Sequence, residues 1–216
     1  MLPTFQGNVP PIFRSLYPKA NISKSGAAWM DALDPLFGRI QKRYMEIMIA
    51  DWGTDHWYEA DGYFDQQQGP WKVYETAEEV PIDPVAFAHA AAAYKSMNAT
   101  DPKAIWLYQG WIWRGWGHDK LPFMKAFVTA VPPKHFVMLD MFDEASPEWS
   151  QFHDFGYFGA PFIWSVLHNF GGNTGLWGSL PTLNSKPFEA FERTRNVAGT
   201  GAAPEGIDQH LAGTSS

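Results

Sequence analysis

The sequence contains no cysteine, and this absence excludes two kinds of chemistry. A chain without cysteine forms no disulfide bond and offers no thiolate as a nucleophile or metal ligand. It does not fix the cellular compartment, because a chain of 216 residues can bury a core that needs no covalent cross-link.

Basic charge is also scarce. The formal net charge is −7, and no run rich in lysine and arginine occurs. Nucleic-acid binding needs a basic surface, so we expect no nucleic-acid partner. No apolar run is long enough to cross a bilayer, so we expect no membrane partner either.

Several motifs that would identify a chemistry are missing. There is no G-x-G-x-x-G or Walker-type phosphate loop and no G-x-S-x-G nucleophile turn. The seven histidines form no H-x-x-x-H pair, so we interpret His56 and His168 as hydrogen-bonding or packing residues rather than ligands. We therefore expect neither a metal nor a cofactor.

Aromatic residues, in contrast, are abundant. They make up 16% of the chain and include 11 tryptophans. Indole faces stack on the apolar faces of sugar rings, which favours a carbohydrate ligand. The alternative is that tryptophan fills a large core, and we expect most of the 11 to do so.

Apolar segments of strand length alternate with segments of helical periodicity. The predicted strands are residues 2–6, 56–61, 105–109, 136–139, 161–167 and 197–201. Four helices are predicted: one that begins at Pro35, and three over residues 85–97, 121–131 and 187–193. This alternation predicts parallel strands joined by crossover helices.

Two α/β folds fit that alternation, a TIM-type (β/α)8 barrel and a doubly wound sheet. A doubly wound sheet concentrates its function at one switch point with a phosphate loop, whereas a barrel gathers ligand groups from the ends of several strands. Polar residues follow one predicted strand after another: Glu59 and Asp61, Gln109 and Trp111, Asp140 and Glu144, His168 and Asn169, and Glu205. We therefore predict a barrel, and an incomplete one, since only about six of its eight strands can be counted.

Carboxylates and aromatic rings at strand ends are typical of glycoside hydrolysis. One carboxyl group acts as acid and base, a second as nucleophile or base, and rings hold the sugar. For any single carboxylate, a helix cap or a salt bridge is the more common role.

Motifs along nearly the whole chain, from Leu2 to about Gln209, resemble those of glycoside hydrolase family 89, the α-N-acetylglucosaminidases. In order, the motifs are Gly53-Thr54-Asp55-His56, Gln109-Gly110-Trp111, Leu139-Asp140-Met141-Phe142, Pro161-Phe162-Ile163-Trp164, Leu167-His168-Asn169-Phe170-Gly171-Gly172-Asn173 and Pro204-Glu205-Gly206. The resemblance implies a retaining exo-glycosidase that releases terminal α-linked N-acetylglucosamine. Animal members act on heparan sulfate in lysosomes.

The resemblance also implies roles for individual residues. Glu205 falls at the family's nucleophile and Asp61 at an aspartate that binds sugar hydroxyls. The other expected pocket residues are Trp111, Met141, His168, Asn169 and Phe170.

The acid/base position departs from the family pattern, which has a glutamate after Phe-Asn. Aligned without a gap, Asp65 takes the position of the proton donor, and we predict that it serves as the acid. Aligned on Phe64 with one insertion, Gln66 takes it, and glutamine cannot donate the proton. The alternative function is therefore a catalytically impaired, carbohydrate-binding relative.

The same resemblance guides the domain and location predictions. We expect residues 1–209 to form a partial barrel of a longer enzyme and residues 210–216 to form an unrelated tail. No signal peptide is recognisable at Met1, yet the resemblance implies a lysosomal or secreted glycoprotein, with Asn21 and Asn98 in glycosylation sequons. The sequence does not define the natural glycan or the oligomeric state.

Overall fold

In the computed structural model the chain divides into two compact units, each built on parallel strands. The first unit comprises Met1–Tyr108 and Asp119–Phe136, and the second comprises Gln109–His118 and Val137–Ser216. The structure describes residues 2–3, 7–60, 80–113, 121–150, 156–168 and 179–204, with only the backbone of residues 2, 3, 168 and 204.

Among the described residues, the first unit contains three parallel strands and four α-helices. The strands are β1 (Leu2–Pro3), β2 (Trp57–Glu59) and β3 (Ile105–Gln109), whose last residue belongs to the second unit. The helices are α1 (Phe13–Leu16), α2 (Pro35–Trp52), α3 (Pro84–Thr100) and α4 (Leu121–Ala130). Strand β2 lies between the other two, with Tyr58 opposite both Leu2 and Trp106.

Two helices of this unit begin with the same device. Asp34 accepts a hydrogen bond from the backbone N–H of Leu36 at the start of α2, and Asp83 accepts two at the start of α3. Each aspartate is followed by a proline, whose missing N–H needs no partner at a first helical position. The Asp-Pro pairs therefore fix where α2 and α3 begin, and α3 packs against both α2 and α4.

Aromatic rings fill the space between β3 and α4. Trp106 and Tyr108 alternate along the strand and so share a face, and both contact Phe127 of α4 and Phe136. The indole N–H of Trp106 donates to the backbone carbonyl of Ala60 at 2.7 Å, so its burial leaves no polar atom unpaired. This tryptophan belongs to the core.

The described part of the second unit has three further parallel strands. They are β4 (Phe136–Asp140), whose first residue belongs to the first unit, β5 (Phe162–His168) and β6 (Val197–Pro204). Strand β5 lies between β4 and β6. Helix α5 (Leu180–Thr194) precedes β6. The six strands described match the number and positions that the sequence predicts.

Helix α5 is longer than predicted. The sequence analysis placed its start at Pro187, but the helix begins at Leu180, where the hydroxyl of Ser179 accepts from the backbone N–H of Thr182. Pro187 lies inside the helix and is buried. Proline often occupies the first position of a helix, but Pro187 lies at the end of the second turn of α5.

The two sequon asparagines lie in different surroundings. Asn21 is exposed and donates its side-chain amide to Asp31 at 2.6 Å. Asn98 lies in the last turns of α3, and its side-chain amide donates to the Tyr94 hydroxyl and to the carbonyl of Pro102.

None of the helices in the described ranges is long and apolar enough to cross a membrane.

A buried carboxylate ties the amino-terminal end of β2 to the end of α3. Asp101 accepts hydrogen bonds from the Tyr58 hydroxyl and from Nδ1 of His56, both at 2.7 Å, and from the backbone N–H of Lys103. Burial alone would raise the pKa of Asp101, but the hydrogen bonds from His56, Tyr58 and Lys103 outweigh it, and the pKa lies below its usual value. The charged carboxylate is therefore the form that the fold favours.

We predict that Asp101→Ala lowers the free energy of unfolding by about 2 kcal/mol, because it leaves the buried Tyr58 hydroxyl without its acceptor. Because the pKa is lowered in the folded chain, the contribution of Asp101 is complete above the unfolded-state pKa near 4. It is lost as the pH falls through the folded-state pKa. Urea denaturation of both proteins at pH 7 and pH 3 measures this, and an equal difference at the two pH values would contradict it.

Candidate active site

A narrow crevice lies where the chain leaves β4, and two of the predicted sugar-pocket residues line it. Its walls are formed by Gly110, Trp111, Asp140, Met141, Phe142, Ser146 and Glu148. Trp111 belongs to the short 3-10 turn Gly110–Trp113, and Met141 is the first residue after β4. Both side chains are half-buried.

Gly110 allows the turn to lie directly against β4. A Cβ atom at this position would sit 2.6 Å from the carbonyl oxygen of Leu139, closer than any side chain tolerates. Glycine is therefore required for Trp111 to approach Met141. The sequence marked Gln109-Gly110-Trp111 as a motif, and this close approach is the physical reason for its middle residue.

The crevice is smaller than a sugar site. It has no room for a water molecule, whereas ligand pockets typically measure about 300–1,000 Å³. The described residues thus supply one wall of a pocket. A wider hollow of about 460 Å³ lies on the first unit, beside the start of α2, and none of the predicted site residues lines it.

The remaining predicted site residues are placed only in part. His168 is the last residue of β5, and its backbone lies opposite Pro204, the last residue of β6. Glu205 follows Pro204 directly in the sequence. The five predictions at Glu205, Asp65, Asp61, Asn169 and Phe170 lie outside the described residues.

The buried carboxylate of Asp140, at the end of β4, organises one side of the crevice. It accepts hydrogen bonds from the backbone N–H groups of Trp149, at 3.0 Å, and of Glu148. The hydroxyl of Tyr157 and the carboxyl group of Asp143 also bond to it. Burial raises the pKa of Asp140, and these four donors oppose the rise.

Burial raises the pKa of both Asp140 and Asp143, and we interpret Asp143 as the member of the pair that carries a proton. Two carboxyl groups can share a hydrogen bond only if one of them is protonated. Burial and the neighbouring charge of Asp140 raise the pKa of Asp143 far above its usual value, so Asp143 is the neutral donor. The same surroundings raise the pKa of Tyr157, which stays a neutral donor as well.

Asp143 and its neighbour Glu144 also contact β5. The backbone N–H of Asp143 donates to the carbonyl of Ser165 at 2.9 Å, and its carboxyl accepts from the N–H of Ser165 at 3.0 Å. Glu144 accepts from the N–H of Leu167, with both carboxylate oxygens at 3.0 and 3.2 Å. The segment after β4 is therefore bound to the neighbouring strand by carboxyl groups.

Sequence analysis singled out Asp140 and Glu144 as polar residues after a strand, but it missed Asp143, Glu148 and Tyr157. The density of carboxylates in residues 140–148 was a signal, because four acidic residues within nine are hard to accommodate unless some are buried and hydrogen-bonded. Tyr157 carried no such signal, since its contact with Asp140 depends on the fold. The part of the chain that the structure describes contains no group of three or more His, Cys, Asp or Glu residues arranged to hold a metal ion.

We predict opposite effects for the two isosteric amides at the carboxyl pair. Asp143→Asn keeps a donor towards Asp140 and an acceptor for Ser165, so it should fold as well as the native chain at pH 6. The native chain must keep Asp143 protonated when folded, so its stability should fall as the pH rises above the unfolded-state pKa near 4, by on the order of 1 kcal/mol per pH unit. The variant should escape this loss, and urea denaturation at pH 6 and pH 9 measures the difference.

Asp140→Asn is the matched control, because it places an amide against groups that donate. It should lose about 1–3 kcal/mol at both pH values. Equal destabilisation by the two amides would show that Asp143 is charged rather than protonated.

Comparison with known proteins identifies the family of this chain. The α-N-acetylglucosaminidase (NAGLU) TIM-barrel domain model matches residues 1–212. The human α-N-acetylglucosaminidase is 36% identical over 229 residues, which cover 97% of this chain and 28% of the human protein. The chain thus spans about a quarter of the length of its relatives.

Solved structures share the fold. A family 89 glycoside hydrolase from Clostridium perfringens in complex with PUGNAc superimposes with a TM-score of 0.76 at 20% identity, covering 99% of this chain and 23% of that one. A variant of the Clostridium enzyme with two Glu-to-Gln changes, in complex with its substrate GlcNAc-alpha-1,4-galactose, gives a TM-score of 0.74 at 21% identity, covering 96% and 22%. The predicted TIM-type architecture and the predicted family are both confirmed: the chain belongs to the family of α-N-acetylglucosaminidase TIM-barrel domains.

Proposed function

We propose that the chain carries catalytic residues of a retaining exo-glycosidase that releases terminal α-linked N-acetylglucosamine. The observation that supports this most is the 36% identity to the human α-N-acetylglucosaminidase over almost the whole chain. The crevice at the end of β4 is consistent with it, because Trp111 supplies an aromatic ring and Met141 an apolar contact beside it.

The proposed reaction has two steps, both at the anomeric carbon. The carboxylate of Glu205 attacks this carbon while the glycosidic C–O bond breaks and Asp65 gives its proton to the leaving oxygen. Water then attacks the same carbon, the glycosyl–Glu205 bond breaks, and Asp65 takes the proton from the water. Glu205 ends as a carboxylate and Asp65 as a carboxylic acid, ready for another cycle.

The remaining proposed site residues bind rather than react. Asp61 would accept hydrogen bonds from sugar hydroxyls. His168, Asn169 and Phe170 would complete the pocket beside the crevice. We also retain as proposals the partial barrel of residues 1–209, the tail of residues 210–216, heparan sulfate as a glycan substrate, and a lysosomal or secreted location.

The alternative function is sugar binding without turnover. The observation in its favour is the departure from the family pattern at residues 65 and 66, where aspartate or glutamine stands in place of glutamate. An aspartate is one methylene shorter than a glutamate, and a shift of about 1 Å in a catalytic group can cost on the order of 100-fold in rate.

We predict that Glu205→Gln abolishes hydrolysis of an aryl α-N-acetylglucosaminide, because an amide is too weak a nucleophile to form the glycosyl-enzyme. A fluorinated mechanism-based inactivator should label Glu205 in the native chain, as mass spectrometry of the peptides would show. Glu189→Gln, at an exposed residue of α5, is the control and should behave like the native chain. Sugar binding by a native chain that neither turns over nor becomes labelled would favour the alternative.

We predict that the effect of Asp65→Asn depends on the leaving group. Proton donation is worth on the order of 10²–10⁴-fold, but only where the leaving oxygen is basic. The variant should therefore lose that much rate on a phenyl glycoside and little on a 2,4-dinitrophenyl glycoside. An equal loss on both substrates in steady-state kinetics would mean that Asp65 is not the acid.

A further inference from the structure

Strand β5 extends beyond the end of its neighbour β4. The last pair of residues between them is Asp140 and Trp164, and β5 continues for four residues to His168. In a strand, alternate residues direct their backbone groups to the same side. Ser165 and Leu167 direct theirs towards the side of β4, where that strand has already ended.

Beyond the end of β4, Asp143 and Glu144 provide the hydrogen-bonding partners of β5. Asp143 exchanges two hydrogen bonds with Ser165, and the Glu144 carboxylate accepts from the N–H of Leu167. Ser165 and Leu167 are both buried, so water does not compete for these positions. Among the described residues, Glu144 is thus the last hydrogen-bonding partner along this edge before β5 ends at His168.

Along its other edge, β5 pairs with β6 as far as the last residue of each strand. Leu167 lies opposite Ala203 and His168 opposite Pro204. The two strands approach closely at Gly201, where a Cβ atom would lie 2.7 Å from the hydroxyl oxygen of Ser165. Because β5 and β6 stay paired through His168 and Pro204, we expect a shift of β5 at Leu167 to be transmitted to the end of β6.

We propose that Glu144 is a positioning residue, whose carboxylate substitutes for a neighbouring strand at Leu167 and thereby fixes the ends of β5 and β6. The inference rests on the proposed function, because Glu205 follows β6 directly and His168 ends β5. Glu144 acts as a hydrogen-bond acceptor in this role and touches no reacting atom.

Two variants separate the acceptor from the charge. Glu144→Gln keeps one acceptor oxygen for the N–H of Leu167, exchanges the other for an amide NH2 group and removes the charge. Glu144→Met has similar length and removes the acceptor. With the aryl glycoside as probe, we expect kcat to fall on the order of 100-fold in the Met variant, with KM changed less than about threefold, and to stay within about threefold of native in the Gln variant. Glu189→Gln is the control for a lost surface charge.

Amide hydrogen exchange, followed by mass spectrometry of peptides, reports on the strand ends without any turnover. In the Met variant, exchange should accelerate in peptides covering the ends of β5 and β6, and stay native in peptides covering β4 and the first unit. A native chain that does not hydrolyse the glycoside would contradict the proposed function, and exchange would then still decide whether Glu144 holds the two strands.

Three outcomes would overturn the inference. The first is a Met variant with native kcat and native exchange. The second is an equal loss of kcat in the Gln and Met variants, since Glu144 would then act through its charge. The third is a Met variant that does not fold, because the carboxylate would then support the whole unit rather than two strand ends.

Discussion

The buried carboxylate of Asp140 is the interaction on which the second unit depends. It lies where β4 ends and is surrounded by hydrogen-bond donors: two backbone N–H groups, the Tyr157 hydroxyl and the carboxyl group of Asp143. A charge can be buried at this depth only with such donors around it, and gathering them folds residues 141–149 back towards the strand. Once that segment is held, Asp143 and Glu144 face β5, and Met141 faces Trp111. The crevice and the contact with β5 therefore have one origin.

In the second unit, carboxyl side chains accept hydrogen bonds from strand N–H groups that backbone carbonyls of a neighbouring strand usually accept. Parallel strands of unequal length leave N–H groups exposed along the longer one, and buried N–H groups must find partners. The segment after β4 provides them from side chains, which frees its backbone to turn away and line the crevice. The arrangement joins the framework of the unit to the residues proposed to hold a sugar.

Much of the fold could be predicted because it is encoded locally. Apolar runs marked the strands, and the Asp34-Pro35 and Asp83-Pro84 pairs marked two helix starts. The predicted start of α5 at Pro187 is wrong, because a proline inside a helix gives the same sequence signal as a proline at its first position. Of the candidate site, Trp111 and Met141 could be identified by family motif, and the structure places them together. The proton on Asp143 could not be foreseen, since it depends on how close Asp140 lies in three dimensions.

The two sequon asparagines differ in how far their side-chain amides are occupied by other contacts. Oligosaccharide transfer replaces one hydrogen of the asparagine amide, and both hydrogens of Asn98 have acceptors, the Tyr94 hydroxyl and the Pro102 carbonyl. A glycan attached to Asn98 would therefore displace one of these two side-chain hydrogen bonds at the carboxyl-terminal end of α3. At Asn21 the described contacts commit one hydrogen, to Asp31, and the side chain is exposed. A bulky group on the side-chain amide is thus more easily accommodated at Asn21 than at Asn98.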